Sequence, residues 1–138
     1  MSTTSITADQ TGSASVGILV GRILLSILFL FAGFGKLTAI SATAGWFGSI
    51  GLPVPTVTAV VVGLVELLGG LAILLGFQTR IAAIVVALFT LGATAIAHLD
   101  FSDAMQVLML QKNLAITGGL LILAIVGAGS LSVDARRN

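Results

Sequence analysis

Four apolar stretches, each long enough to cross a lipid bilayer, constrain the fold of this chain more than any other feature. A transmembrane helix needs about 20 predominantly apolar residues. The stretches cover residues 16–37, 56–77, 79–98 and 107–127. None of them alternates polar and apolar residues as the strands of a membrane barrel do. The sequence therefore predicts an all-α protein, an integral membrane bundle of four transmembrane helices.

The scarcity of charged residues supports the same prediction. Charged residues make up 8% of the chain and hydrophobic residues 57%, and the mean hydropathy is +1.20. Soluble domains carry about 25% charged residues, so this chain is expected to have the lipid bilayer as its solvent. The net charge is +1, and no basic cluster marks a nucleic-acid-binding surface, so nucleic acid is not an expected partner.

The residue types limit the chemistry that this chain can perform alone. There is no cysteine, which excludes thiol catalysis and ligation of an iron–sulfur cluster. A single histidine cannot supply the histidine pairs of haem ligation or of a catalytic zinc site, and no metal site is predicted. We therefore expect no covalently bound cofactor, and any redox centre would be a diffusible molecule or belong to a partner.

The connecting segments differ in length and character. Residues 1–15 are small and polar and predict a disordered tail, followed by a four-helix domain over residues 16–134. Residues 38–55 contain Trp46 and predict an interfacial or shallow re-entrant segment. Residues 78–80 form a very tight turn, so the second and third spans should be antiparallel neighbours.

The positions of lysine and arginine near the span ends predict the orientation. Cytoplasmic ends of transmembrane helices carry an excess of these residues. One side of the predicted bundle holds four of them and the other side holds two, Lys36 and Lys112. The four are Arg22, Arg80, Arg136 and Arg137. Both chain ends are therefore predicted to be cytoplasmic.

Glu66 is the most informative charged residue, because it lies near the middle of the second span. It is about ten residues from either end, so its depth is ~15 Å at ~1.5 Å per residue. A lone carboxylate there costs at least ~2.5–3.5 kcal/mol, and it must face the bundle and find a partner or a proton. Arg22 on the first span is a candidate partner, and no residue is assigned as catalytic beyond Glu66 as a possible proton relay.

The candidate ligand-binding residues fall into two predicted tiers. The inner tier is Arg22, Glu66 and Arg80, and the outer tier is Lys36, His98, Lys112 and Asn113, with Asp100 and Asp103 nearby. Most of these residues, and Trp46, also have a purely structural explanation. The lysines and Arg80 can simply extend to the membrane surface, Arg22 and Glu66 can be an internal ion pair, and His98 and Trp46 can be interfacial residues.

Three sequence segments contain several of these charged residues and resemble the DoxX family of small bacterial membrane proteins. They are FLFAGFGKL at residues 29–37, ELLGGLAILLGFQTR at residues 66–80 and QKNLAITGGLLIL at residues 111–123. The resemblance extends from about Gly21 to Asp134. It implies four transmembrane helices and residence in the bacterial plasma membrane, in agreement with the reading of the residues.

The resemblance also implies several functions. Relatives include small subunits of thiosulfate:quinone oxidoreductases, a subunit of an actinobacterial membrane oxidoreductase complex, and animal chaperones for receptor assembly. The redox-linked relatives imply contact with a quinone, the one cofactor expected here. Transferred to this chain, quinone contact falls on Lys36, Glu66, Arg80, Lys112 and Asn113.

Three hypotheses about function remain open at the level of the sequence. The chain can be a quinone-contacting subunit of an oxidoreductase linked to membrane redox chemistry. It can instead be a non-catalytic accessory or assembly subunit, since its 17 glycines favour close helix packing with other membrane subunits or with further copies of itself. A small transporter is the third hypothesis, although four helices enclose only a narrow lumen.

Overall fold

A computed structural model describes the backbone of residues 3–137 and the side chains of residues 12–137. The described chain is helical, with short turns between its helices. The helices are α1 (Thr3–Thr38), α2 (Ile40–Ser49), α3 (Pro55–Leu75), α4 (Thr79–Ala97), α5 (Ala104–Val126) and α6 (Val133–Arg137). Within this part of the chain, four helices are long and apolar enough to cross a membrane: α1, α3, α4 and α5. The predicted all-α bundle with four spans is confirmed.

Helix α1 extends beyond the predicted first span at its amino-terminal end. The sequence predicts a disordered tail over residues 1–15, whereas the helix begins at Thr3. Between Thr3 and the span there is no proline, and Gly12 is the first glycine, so no strong helix breaker interrupts the helix as it leaves the span. Residues 1 and 2 of the predicted tail lie outside the described residues.

The link between the first two spans contains the short helix α2, which packs against α3. Phe47 is only 4% exposed, whereas the adjacent Trp46 is 48% exposed. Pro55 is the first residue of α3, a position where the missing N–H of proline is tolerated. The link is thus folded onto the bundle through Phe47, and its placement in the headgroup layer stays a prediction.

The bundle is built from two antiparallel helix pairs, α1 with α3 and α4 with α5. Glycines allow the first pair to approach closely. A Cβ atom added at Gly33 would lie 2.5 Å from the backbone nitrogen of Leu67, and one at Gly70 would lie 3.1 Å from that of Leu30. Small residues permit this backbone contact in membrane helices, so the α1–α3 pair depends on glycine at these positions.

The two ends of the bundle are named here for what they contain. The terminal half holds the start of α1, the end of α3, the start of α4, the end of α5 and helix α6. The loop half holds the opposite helix ends, helix α2 and the turn at residues 98–103. In the terminal half, Gly76 adopts a φ of +69° and ends α3, which produces the predicted tight turn into α4.

The hydrophobic core lies toward the terminal half. Ile73 near the end of α3, Val86 in the first half of α4 and Leu120 near the end of α5 are completely buried. The other members of the core are Phe29, Ala83, Ala87 and Leu123. The loop half has few completely buried side chains, and one cavity lies there. A second cavity, of about 540 Å³, lies at the helix ends of the terminal half, beside Thr79, Arg80 and Asp134.

Candidate functional site

A cavity of about 470 Å³ lies in the loop half of the bundle. All five helices α1 to α5 contribute to its wall, which is mostly apolar. Its volume falls within the range of about 300–1,000 Å³ that is usual for ligand pockets. The charged and polar residues of the wall, apart from the indole of Trp46, are Lys36, Thr58, Glu66, Thr90, His98, Lys112 and Asn113. An apolar space with a few convergent polar groups is the usual form of a small-molecule site.

An ion pair between Glu66 and Lys36 occupies the deep part of this cavity. The Nζ atom of Lys36 lies 2.8 Å from Oε2 of Glu66. The side chain of Glu66 is 10% exposed and that of Lys36 is 23% exposed. Oε2 has no other partner among the described residues. The ammonium group thus compensates the carboxylate at mid-membrane depth, where an unpaired charge would be costly.

The predicted approach of Arg22 to Glu66 is wrong. Arg22 is 1% exposed, and its guanidinium donates four hydrogen bonds to backbone carbonyl oxygens in the terminal half. The acceptors are Ile73, Leu74, Ala128 and Leu131, at distances of 2.8–3.0 Å. Arg22 lies level with the end of α3, and Ile73 is about two helical turns, ~11 Å, beyond Glu66. The antiparallel register of α1 and α3 therefore places Lys36, and not Arg22, beside Glu66.

Like Arg22, Arg80 donates hydrogen bonds to backbone carbonyl oxygens and does not line this cavity. Its Nη1 atom donates to the carbonyl oxygen of Ala124 at 3.0 Å and to that of Ile125 at the end of α5. The last carbonyl groups of a helix lack partners within the helix, and a cation there also complements the helix dipole. The predicted inner tier is thus divided: Arg80 binds the end of α5, Arg22 binds the end of α3 and the segment after α5, and Glu66 joins the outer tier.

The predicted outer tier is brought together around the cavity. Lys36, His98, Lys112 and Asn113 come from three different helices and line one space. The side-chain amide of Asn113 donates to Oγ1 of Thr94 at 2.9 Å, which fixes α5 against α4. Nδ1 of His98 is buried and has no hydrogen-bond partner among the described residues.

Asp100 and Asp103 have local roles in the turn between α4 and α5. Asp103 precedes α5 and accepts a hydrogen bond from the amide of Met105 at 2.9 Å, as an N-cap residue does. Asp100 accepts from the hydroxyl and the amide of Ser102. These hydrogen bonds lower the pKa of Asp100 below its ordinary value. Neither carboxylate is part of the cavity wall.

Sequence reasoning missed Asp134, which fastens the carboxyl-terminal segment to the start of α4. Its two carboxylate oxygens accept hydrogen bonds from the amides of Gln78 and Thr79 at 2.7 and 2.9 Å, and its own amide donates to Gly76. Burial raises the pKa of Asp134, but the hydrogen bonds from Thr79 and Gln78, together with the positive charge of Arg137, outweigh it, so the pKa lies below the ordinary value. An acidic residue 55 positions from its partner carries no local sequence signal.

The fold and the site define a small helical membrane protein with four spans and a cavity lined by the Lys36–Glu66 ion pair. The sequence model of the DoxX family matches residues 17–99. The chain belongs to the DoxX family, as the three sequence segments with charged residues predict. Within the described residues, the two structural hallmarks of this member are the Lys36–Glu66 pair and the arginine contacts to helix ends.

Two relatives from Escherichia coli place the chain more closely. It is 45% identical to inner membrane protein YqjF of Escherichia coli K12 over 119 residues, which covers 86% of this chain and 90% of YqjF. It is 34% identical to inner membrane protein YphA of the same bacterium over 133 residues, covering 93% of this chain and 95% of YphA. The chain is thus a multi-pass inner membrane protein.

A more distant relative is CatD of Bacillus subtilis 168, which its name describes as a candidate oxidoreductase. It is 37% identical over 81 residues, covering 59% of each chain. No solved structure matches the chain.

Proposed function

We propose that this protein contacts a quinone as a subunit of a membrane oxidoreductase. The observation that carries the proposal is the loop-half cavity, which joins apolar walls to the Lys36–Glu66 pair and to further polar groups. The description of CatD as a candidate oxidoreductase gives the proposal support from a relative.

The cavity offers what quinone chemistry needs from a protein. The apolar wall suits the ring and the first part of a lipid-soluble tail. Asn113 and Lys112 are hydrogen-bond donors for a carbonyl oxygen. Glu66 is a carboxyl group that can pass a proton at mid-membrane depth. Reduction of a quinone to a quinol consumes two electrons and two protons, and with no cysteine in this chain the electrons would come from a partner subunit or its cofactor.

The test is the quinone content of protein purified in native nanodiscs, compared between the wild type and two variants. Glu66→Gln removes the carboxylate in the cavity, and Asp103→Asn removes a carboxylate outside it. We expect about one quinone per wild-type chain, at least tenfold less in Glu66→Gln and an unchanged amount in Asp103→Asn. Absence of quinone from the wild type, both alone and in its complexes, would overturn the proposal.

A second candidate function is that of a non-catalytic accessory subunit. Gly17 and Gly21 on α1 have open space where a side chain would lie, and their spacing of four residues is that of helix-packing motifs in membranes. A larger partner could pack on this face. If so, Gly17→Leu would remove a reproducible partner in native mass spectrometry, whereas Gly118→Leu on α5, also open, would not.

A further inference from the structure

The cavity is confined to one side of the membrane domain. Its wall on α1 begins at Leu28, and its wall on α5 ends at Asn113. On α3 it includes Thr58 in the first turn and reaches no further than Glu66. On α4 it extends to His98 at the helix end. Every wall segment therefore points from mid-membrane depth toward the loop half.

On the side away from the loops, the packed terminal half of the bundle closes the cavity. Beyond Glu66 the helices are joined by the hydrophobic core, in which Ile73, Val86 and Leu120 are completely buried. Further along, four of the five donors of Arg22 are bound to carbonyl oxygens, so this side chain is fixed in the packed half of the bundle. Packed cores of this kind leave no space for water.

Titratable and charged groups face Glu66 only across the cavity. Within the described residues of the cavity wall, α1 contributes Lys36, the end of α4 contributes His98 and α5 contributes Lys112. Helix α2 contributes apolar and aromatic residues, and α3 adds no charge besides Glu66 itself. All three groups lie in the loop half, on the side of Glu66 toward the turn at residues 98–103.

We propose that the cavity is a vestibule open to water on the loop side only, and that Glu66 exchanges its proton with that side and not with the terminal side. The exchange balances as a transfer from the carboxyl group of Glu66 to vestibule water, and the ammonium group of Lys36 compensates the carboxylate that remains. The assignment of this proton to a quinone rests on the proposed function, whereas the one-sided access does not. With both chain ends in the cytoplasm, as the positive charges predict, the proton would leave to the periplasm.

Because the chain contains no cysteine, single cysteines can be placed without background labelling. Val62→Cys and Ala93→Cys report on the cavity wall, and Ala87→Cys, at a residue that is 2% exposed, reports on the core. Asp103→Cys marks the loop side and Ser130→Cys marks the terminal side. Right-side-out and inverted membrane vesicles are treated with a membrane-impermeant, positively charged methanethiosulfonate, and the modified fraction of each variant is counted by mass spectrometry.

We expect the cysteines at positions 62 and 93 to be modified at least tenfold faster from the side that labels position 103 than from the side that labels position 130. The cysteine at position 87 should react from neither side. Modification of positions 62 and 93 from the terminal side, or from neither side, would overturn the vestibule. Each variant is first checked for an unchanged elution volume and melting temperature, and Thr58→Cys provides a third wall position if either one fails to fold.

This experiment separates the vestibule from the proposed function. One-sided labelling without bound quinone would support the vestibule and overturn the proposed contact with a quinone. Stoichiometric quinone together with labelling from the terminal side would support the proposed function and overturn the vestibule. Protection of position 93 by added decylubiquinone would join the two, because it would place the quinone inside the vestibule.

Discussion

The terminal and loop halves of the bundle solve the same problem, a charge inside a membrane, in opposite ways. In the terminal half, Arg22 is buried and all its bonds go to carbonyl oxygens of the chain. In the loop half, Lys36 is the one partner of Glu66 among the side chains that the structure describes, and Glu66 lines a cavity. The first arrangement fixes a permanent charge in place, and the second leaves a titratable group with free space beside it.

Helix geometry explains why the two solutions lie where they do. Backbone carbonyl groups without a partner inside a helix occur at the carboxyl ends of helices and in the segments that follow them. Four of the five donors of Arg22 are satisfied there. Glu66 is in the middle of α3, where every backbone amide is already bonded within the helix. A carboxylate at that depth can be stabilised only by another side chain, by water or by a proton, and each of these can change during a reaction.

Removal of Arg22 should have the largest effect on stability. Arg22→Ala leaves four buried or part-buried carbonyl oxygens without this donor, and each unsatisfied group costs about 1–3 kcal/mol. Allowing for partial rearrangement, we expect a loss of roughly 3–5 kcal/mol in the free energy of unfolding, measured by SDS or thermal unfolding in detergent micelles. Arg136→Ala removes an exposed arginine and should be nearly neutral. Equal losses in the two variants would contradict the role assigned to Arg22.

Gly33 should be the next most sensitive position, because it joins the two halves through the α1–α3 contact. A Cβ atom there would meet the backbone of Leu67 at 2.5 Å, and overpacking of this kind costs about 1–3 kcal/mol. Gly33→Ala should lower the melting temperature and separate Lys36 from Glu66. Gly35→Ala is the matched control on the same helix, since its added methyl group meets nothing within 4 Å. A normal melting temperature in Gly33→Ala would show that the close approach is not required.

The ion pair itself should show coupling without dominating stability. Lys36→Met leaves the carboxyl group of Glu66 in an apolar wall, and Glu66→Gln leaves the ammonium group of Lys36 without its partner. The double variant removes both charges and should recover part of each loss, with a coupling free energy of about 0.5–3 kcal/mol. The four proteins are compared by unfolding in one detergent. Additive losses would mean that the pair contributes nothing as a pair.

The sequence predicts the spans better than it predicts the contacts, and the reason is physical. Length and apolarity determine that a segment crosses the bilayer, and both can be read locally. The partner of Glu66 depends on the register of α1 against α3, which Gly33 and Gly70 set through contacts with distant backbone atoms. The outer tier was predictable because its residues lie near span ends, whereas the contact of Asp134 with α4 required the path of the whole chain.

Asp134 should give the smallest effect, one that depends on pH and concerns only the terminal half. Its pKa is lowered in the folded protein, so its contribution to stability is present above the unfolded value of about 3.9 and is lost as the pH falls through the lower, folded value. At pH 7 we expect Asp134→Asn to lower stability by about 1 kcal/mol or less, as for the loss of a helix cap. As the pH falls from about 3.9 through the lower, folded pKa, wild type and variant should converge, because the carboxyl group of Asp134 then becomes neutral like the amide of the variant. The measurement is the difference in unfolding free energy between the two proteins, from pH 7 down to the lowest pH at which both remain folded. A constant difference over that range would mean that hydrogen bonding without charge holds the carboxyl-terminal segment.

In either case, quinone content and loop-side labelling of the Asp134→Asn variant should not change at pH 7, because Asp134 lies in the half that the loop-half cavity does not reach.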